Sequence, residues 1–169
     1  MLNNPLWCFS LAFYREPGVE PILLTLQNRF EADINLLLLC CWLASQQRRL
    51  SPVALELLLA LSADWQARCV RPLRVLRRHL KARGGAEQFR EQVKALELEA
   101  ERLQQQQLYE LSVQQLGEED SRKASDIAGD NLRLYGEGLR LAEGLGVEEV
   151  GELDELLIAL ADLLNSYAR

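Results

Sequence analysis

Seven basic residues crowd one short stretch of this 169-residue chain: Arg68, Arg71, Arg74, Arg77, Arg78, Lys81 and Arg83. At about 100° per residue, Arg71, Arg74, Arg77, Arg78 and Lys81 form a stripe on one side of a helix, with Cys69, Leu73, Leu76 and Leu80 expected on the opposite, buried side. Five cations on one face can hold phosphate groups, with arginine offering forked pairs of donors, or can dock an acidic protein surface. The competing expectation keeps the stripe inside the molecule. There it would pair with the chain's own acidic half, or complement the negative C-terminal end of its helix. Among external ligands a protein partner is favoured over nucleic acid, because the net charge is −6 and no aromatics interleave with the stripe.

The other chemistry-bearing residues point to plainer roles. Asp126 and Asp130 stand four apart, so both carboxylates share a helix face. Such pairs hold magnesium in helical prenyl-transfer enzymes, but only opposite a second acidic pair, and Arg133 is placed to neutralise Asp130. His79, the single histidine, has no Cys, Ser or acid at a telling spacing and makes no credible general base. Asp33 and Asn35 sit at the mouth of the most apolar segment. Asp33 suits a helix cap, Asn35 suits a nearby backbone group, and either can line a pocket. Trp7, Phe9, Phe13, Tyr14, Trp42 and Trp65 read as a core cluster, with a ring-lined cleft for an apolar ligand as the alternative. The cysteines, Cys8, Cys40, Cys41 and Cys69, lie among apolar neighbours without a C-x-x-C pair, as reduced thiols do. No metal, cofactor or catalytic set is expected, and no glycine-rich phosphate loop or nucleophile motif is present.

The elements that must position these residues are helices. Asn4-Pro5 and Ser51-Pro52 each place a capping side chain before a proline at the first helical position. Asp33 caps a third start. Val19, Ile22, Leu23, Leu26 and Phe30 recur at helical spacing, and Ile34–Leu43 is apolar on every side, which suits the centre of a bundle. Pro72 should kink or restart the helix that begins at Ser51. From Ala86 to Leu116 there is neither Gly nor Pro, which predicts one long helix. In it Phe89, Val93, Leu96, Ala100 and Leu103 alternate by four and three, as in a coiled-coil seam that permits a homodimer. Gln104–Gln107 interrupts the pattern and reads as a solvated stretch or a packing discontinuity. A turn follows at Gly117–Ser121. Gly129 and Gly136 share a face of the next helix, where a neighbour can approach closely. No strand-like alternation is seen. The expectation is an all-α bundle of about six or seven helices.

Charge divides the chain at Gly84-Gly85, the best candidate joint within a single helical domain. Residues 1–83 carry 11 Lys+Arg against 6 Asp+Glu, and residues 84–169 carry 8 against 19. The opening Met1–Pro5 has no basic signal region. The longest uncharged apolar run, Ile34–Ala44, is short of the roughly 20 residues a membrane span needs. A cytoplasmic protein with no membrane contact is expected.

Half of the chain also carries a family likeness. Trp7-x-Phe9-Ser10-Leu11-x-x-Tyr14 with Pro17-Gly18-Val19 and Leu26-Gln27, Asp33-x-Asn35-Leu36-Leu37-Leu38 with Trp42-Leu43, and Pro72-Leu73-Arg74-x-x-Arg77-Arg78-x-Leu80-Lys81 resemble a family of uncharacterised bacterial proteins. The resemblance spans residues 7–83. It implies a helical bacterial cytosolic protein and transfers no activity, substrate or cofactor. Together these readings favour an interaction or regulatory protein without a catalytic centre. It would dock a partner through Arg71, Arg74, Arg77, Arg78 and Lys81 or through its acidic half.

Overall fold

The computed structural model describes residues 4–114 and 118–167. The expectations placed at Met1–Asn3, at the helix end Leu116 and at the turn residue Gly117 lie outside the described residues. The helices are α1 (Pro5–Tyr14), α2 (Val19–Phe30), α3 (Ile34–Ser45), α4 (Pro52–Trp65), α5 (Arg71–Arg83), α6 (Glu87–Gln114), α7 (Ala124–Glu143) and α8 (Val147–Tyr167). A π-helical turn, Gln66–Val70, joins α4 to α5 as one rod, so the described residues form seven helical rods in an all-α bundle.

The three expected caps form. Asn4 Oδ1 accepts from the Trp7 amide at 2.8 Å, Asp33 Oδ1 from Asn35 at 2.9 Å, and Ser51 Oγ from Ala54 at 3.2 Å. Each satisfies an amide that the first helical turn leaves unpaired. Pro72 does interrupt its helix, but the disturbance appears one turn earlier. Proline has no N–H to return to the preceding turn. The Arg71 amide reaches back five residues to the Gln66 carbonyl, which widens the turn into a π segment.

Helix α3 is the axis of the bundle. Every residue from Asn35 to Ala44 is buried, and α1, α2, α6 and α7 pack around it. Helix α5 lies along α6, joined through Gly84 and Gly85 at φ of 69° and 73°. One buried apolar cluster runs through both charge halves, from Leu6 to Leu164. Asn131 of α7 is fully buried and pins the loop after α3. Its Oδ1 accepts from the Leu50 amide at 2.8 Å, and its Nδ2 donates to the Cys40 and Arg48 carbonyls at 3.2 and 3.1 Å.

Three expectations need correction. A two-residue antiparallel pair does exist: β1 (Arg48–Arg49) meets β2 (Glu118–Glu119), with Arg48 opposite Glu119 and Arg49 opposite Glu118. Opposite charges directly across the ladder favour that register, and two residues are too few to show alternation. The seam of α6 is also out of phase with the apolar count. Phe89 and Leu96 are 50 % and 58 % exposed, while the buried row is Val93, Glu97, Ala100, Gln104 and Leu108. Finally, of the two glycines only Gly136 meets a close neighbour.

A Cβ at Gly136 would stand 2.7 Å from Leu157 Cδ1 of α8, whereas one at Gly129 would find nothing within 4 Å. Alanine is favoured over glycine inside a helix by about 1 kcal/mol. Gly129→Ala should therefore raise unfolding free energy in urea by about that amount. Gly136→Ala should gain nothing, because Leu157 must move. Equal gains from both would contradict the close α7–α8 approach.

Candidate functional site: a polar-floored cavity beside α6

The site grows from the α6 row that faces inward. Glu97, Gln104 and Gln105 occupy positions that a packed helix would fill with Leu, and Gln104 and Gln105 are 0 % and 1 % exposed. Buried amides must find partners, and these find them on three other elements. Gln104 Nε2 donates to Asp33 Oδ2 at 2.6 Å and to Ser62 Oγ at 3.1 Å. Its Oε1 accepts from Asn35 Nδ2 at 2.8 Å and from Gln66 Nε2 at 3.0 Å. Ser62 also donates to Asp33 Oδ2. Gln105 Nε2 donates to Asn35 Oδ1 at 2.9 Å, and Asn35 Nδ2 reaches the Glu101 carbonyl at 3.2 Å. The Asp33 amide donates to the Tyr135 hydroxyl at 2.8 Å. The π turn contributes Gln66 to this hub, so the interruption before Pro72 serves to aim a side chain.

One turn along, two arginines of α5 meet two glutamates of α6. Arg74 Nε bonds Glu97 Oε1 at 3.0 Å, and Arg74 Nη2 bonds Glu101 Oε1 at 2.9 Å. Arg77 Nε reaches Glu97 Oε2, and its Nη2 bonds Oε1 at 3.2 Å. With its amide oxygen turned inward, Gln27 of α2 accepts from Arg74 at 3.1 and 3.2 Å. The Arg74 and Glu97 side chains are only 13 % and 7 % exposed.

The two glutamates are held in opposite ways. Burial pushes Glu97 up, yet bonds and charge from Arg77 and Arg74 outweigh it and hold the carboxyl below its usual range. Burial dominates at Glu101. Arg74 opposes it, but with the like charges of Glu97 and Asp33 added the carboxyl is held above its usual range. Burial, then Glu20 and Glu101, also raise the Tyr14 phenol.

These groups wall one side of a cavity of about 580 Å³. Asp33, Asn35, Gln66 and Gln105 form its polar floor, Arg74, Arg77, Glu97 and Glu101 one flank, and Trp7, Tyr14, Leu11, Leu24, Leu38 and Leu98 an apolar wall, with Arg15, Glu20, Gln27 and Lys94 also lining it. The volume falls in the range of small-molecule sites, and the lining is rich in charged and polar side chains as well as apolar ones. Two buried oxygens of this wall, Ser10 Oγ and Gln105 Oε1, have no hydrogen-bond partner.

The arginine stripe is thus divided, and the side opposite it is not buried: Cys69, Leu73 and Leu80 are half-buried and Leu76 is exposed, because α5 packs on α6 through Arg74 and Arg77. Arg74 and Arg77 turn onto α6 and line the cavity. Arg71, Arg78 and Lys81 are exposed, with Arg78 bonded to Asn28 at 3.0 Å. The aromatics divide as well. Phe9 and Phe13 stack on each other, with ring centres 5.3 Å apart, and meet Tyr167 edge-on in the core. Trp42 packs on Tyr109 in the core, while Trp7 and Tyr14 face the cavity. Asp33 is both cap and pocket wall. Asp130 pairs with Arg133 and with Arg122, Asp126 and His79 are exposed, and the four cysteines are free. Among the described residues no cluster of His, Cys, Asp and Glu is placed to hold a metal ion, and no helix is long and apolar enough to cross a membrane.

The glutamines of α6 were the residues that sequence reasoning left without a role, as a solvated stretch or a packing discontinuity. The usable signal was phase: Glu97 and Gln104 fall in step with Val93, Ala100 and Leu108, at spacings of four and three.

A family model described as a protein of unknown function, DUF2390, matches residues 5–108. The chain belongs to the DUF2390 family. No curated protein and no solved structure matches it. The DUF2390 span begins with α1 and ends within α6, so every cavity residue named above falls inside it. Asn131, Tyr135 and all of α7 and α8 lie beyond the matched DUF2390 residues.

Proposed function

We propose that this protein is a non-enzymatic binding protein that holds a small organic molecule in the cavity between α1, α2, α3, α5 and α6, and acts through that binding as an interaction or regulatory protein. The carrying observation is the cavity of about 580 Å³ with an apolar wall and a floor of buried amides at Asn35, Gln66 and Gln105. Burying so many polar groups costs stability unless each is bonded, and a fold that only needed packing would place Leu there. The floor and flank groups bond chiefly to one another, which suits holding a shape rather than reacting.

Narrowing the cavity should abolish binding without unfolding the chain. Leu24 and Leu98 are 38 % and 53 % exposed, so Leu24→Trp or Leu98→Trp fills space at little cost to the core. Wild-type protein incubated with a cell extract, washed and denatured should release a small molecule detectable by mass spectrometry. Either folded variant should release none. The same release from wild type and both variants would overturn the cavity reading.

The exposed part of the stripe supports a second role for the same chain, docking an acidic protein partner in the cytoplasm. Arg71, Arg78 and Lys81 stand outward on α5. Among the described residues none of the three makes an ion pair with a carboxylate. Nucleic acid is the weaker candidate for this face, given the net charge of −6.

A further inference from the structure

The main buried cluster of the bundle takes no residue from α5 and none from α6 ahead of Leu108. The α5–α6 hairpin nevertheless carries an apolar stripe on each helix. Phe89, Leu96 and Leu103 repeat every seven residues on α6, and Leu73, Leu76 and Leu80 follow by three and four on α5. Phe89 and Leu96 are 50 % and 58 % exposed, Leu76 is 37 % exposed, and Leu73, Leu80 and Leu103 are half-buried.

Helical phase sets both stripes on the same flank of the hairpin. Leu98 of α6 lines the cavity, and Leu96, two residues earlier, lies about 160° round the helix from it. Arg78 of α5 turns to Asn28 of α2, the helix that supplies Leu24 and Gln27 to the cavity. Leu76 and Leu80, two residues to either side of Arg78, lie about 160° from it. The two helices meet between these flanks, through Arg74, Arg77 and Glu97. The apolar flank therefore faces away from the cavity, and Leu76, Phe89 and Leu96 meet water there.

Spacings of three, four and seven are those by which one helix packs lengthwise on another, so the face suits a helical occupant. Charge selects which one. Helix α5 carries six Arg and Lys and no carboxylate, whereas α6 carries six Glu against three Lys and Arg. A second copy supplies both signs. With a two-fold axis running lengthwise between the two helices, α5 of one copy lies antiparallel on α6 of the other, basic against acidic. An axis set crosswise would stack α5 on α5 and α6 on α6, like charge on like.

We infer that the chain forms a homodimer through the α5–α6 hairpin, an antiparallel four-helix bundle with Leu76, Leu80, Phe89 and Leu96 at its centre. Sedimentation velocity of the full chain tests it. At about 100 µM in low salt, wild type should run at twice the chain mass. Leu96→Glu and Leu76→Glu change exposed positions on different helices, so both should keep the wild-type helical spectrum. Each should raise the dissociation constant at least about a hundredfold, as loss of a central interface anchor does. Leu141→Glu, at an 86 % exposed site on α7, should leave it unchanged. Raising salt from about 50 to about 500 mM should loosen the wild-type dimer about threefold or more, because salt screens the attraction between α5 and α6. A wild type that stays monomeric, or a dimer that survives both glutamates, would overturn the hairpin dimer. A dimer that tightens with salt or is unmoved by it would overturn the lengthwise axis.

Discussion

Replacing Glu97 by glutamine should lower the unfolding free energy at neutral pH by about 3 kcal/mol, because a buried ion pair that loses one partner strands the other. Two arginines depend on this one carboxylate. Glu101→Gln, one turn away, should leave stability unchanged or raise it by up to about 1 kcal/mol. The contrast follows from the direction in which the fold moves each group from its ordinary value of 4.5. Glu97 is held below it. Its contribution is complete above the unfolded value and is lost as pH falls through the lower folded one. The Glu97→Gln deficit should therefore be full at pH 7 and shrink in acid. Glu101 is held above it. The fold favours its neutral form, so its contribution is complete below pH 4.5 and fades as pH rises through the higher folded value. A permanently neutral glutamine keeps that contribution at pH 7. Urea denaturation of both variants from pH 4 to 7 provides the check. Deficits of the same sign and size would contradict the opposed environments described for the two carboxylates.

Gln104→Leu should cost about 3–4 kcal/mol, since each buried polar group left without a partner costs about 1–3 kcal/mol. The substitution looks conservative by volume and improves the apolar pattern of α6. Yet it removes the acceptor shared by Asn35 and Gln66 and the donor to Asp33 and Ser62. Ser62 and Asp33 remain bonded to each other, so the loss stays short of unfolding the chain. Gln107→Leu, on the half-buried side of α6, should change stability by under about 0.5 kcal/mol. A loss below about 1 kcal/mol for Gln104→Leu in urea melts would mean that the polar floor repacks freely. In that case it would be too soft to discriminate between ligands.

The helical architecture was open to reading because its signals are local. Asn4, Asp33 and Ser51 cap by their own backbone geometry, and the all-round apolar run of α3 has no place but the centre. The site was less legible because it depends on phase between distant segments. On α6 the apolar count picks Phe89, Leu96 and Leu103, but a helix turns the face that its neighbours can satisfy. Here Asp33, Ser62 and Gln66 make Gln104 a better inward residue than Leu96. The same reason divides the arginine stripe. Arg74 and Arg77 sit where Glu97 and Glu101 meet them, which only the antiparallel return through Gly84-Gly85 decides. The two-residue strand pair was beyond reach, since its register depends on residues 69 and 71 positions apart in the chain.

Small-molecule binding at the α6 cavity is tested most directly by the amide proton–nitrogen spectrum of the full chain titrated with 2-phenylethanol, a probe that presumes no charge. Shifts should concentrate on residues at the cavity wall, among them Ser10, Leu24, Asn35 and Gln105, and should vanish in Leu24→Trp. Shifts gathered instead around the exposed Leu141 and Val147, or unchanged by the tryptophan, would contradict a binding cavity at this site.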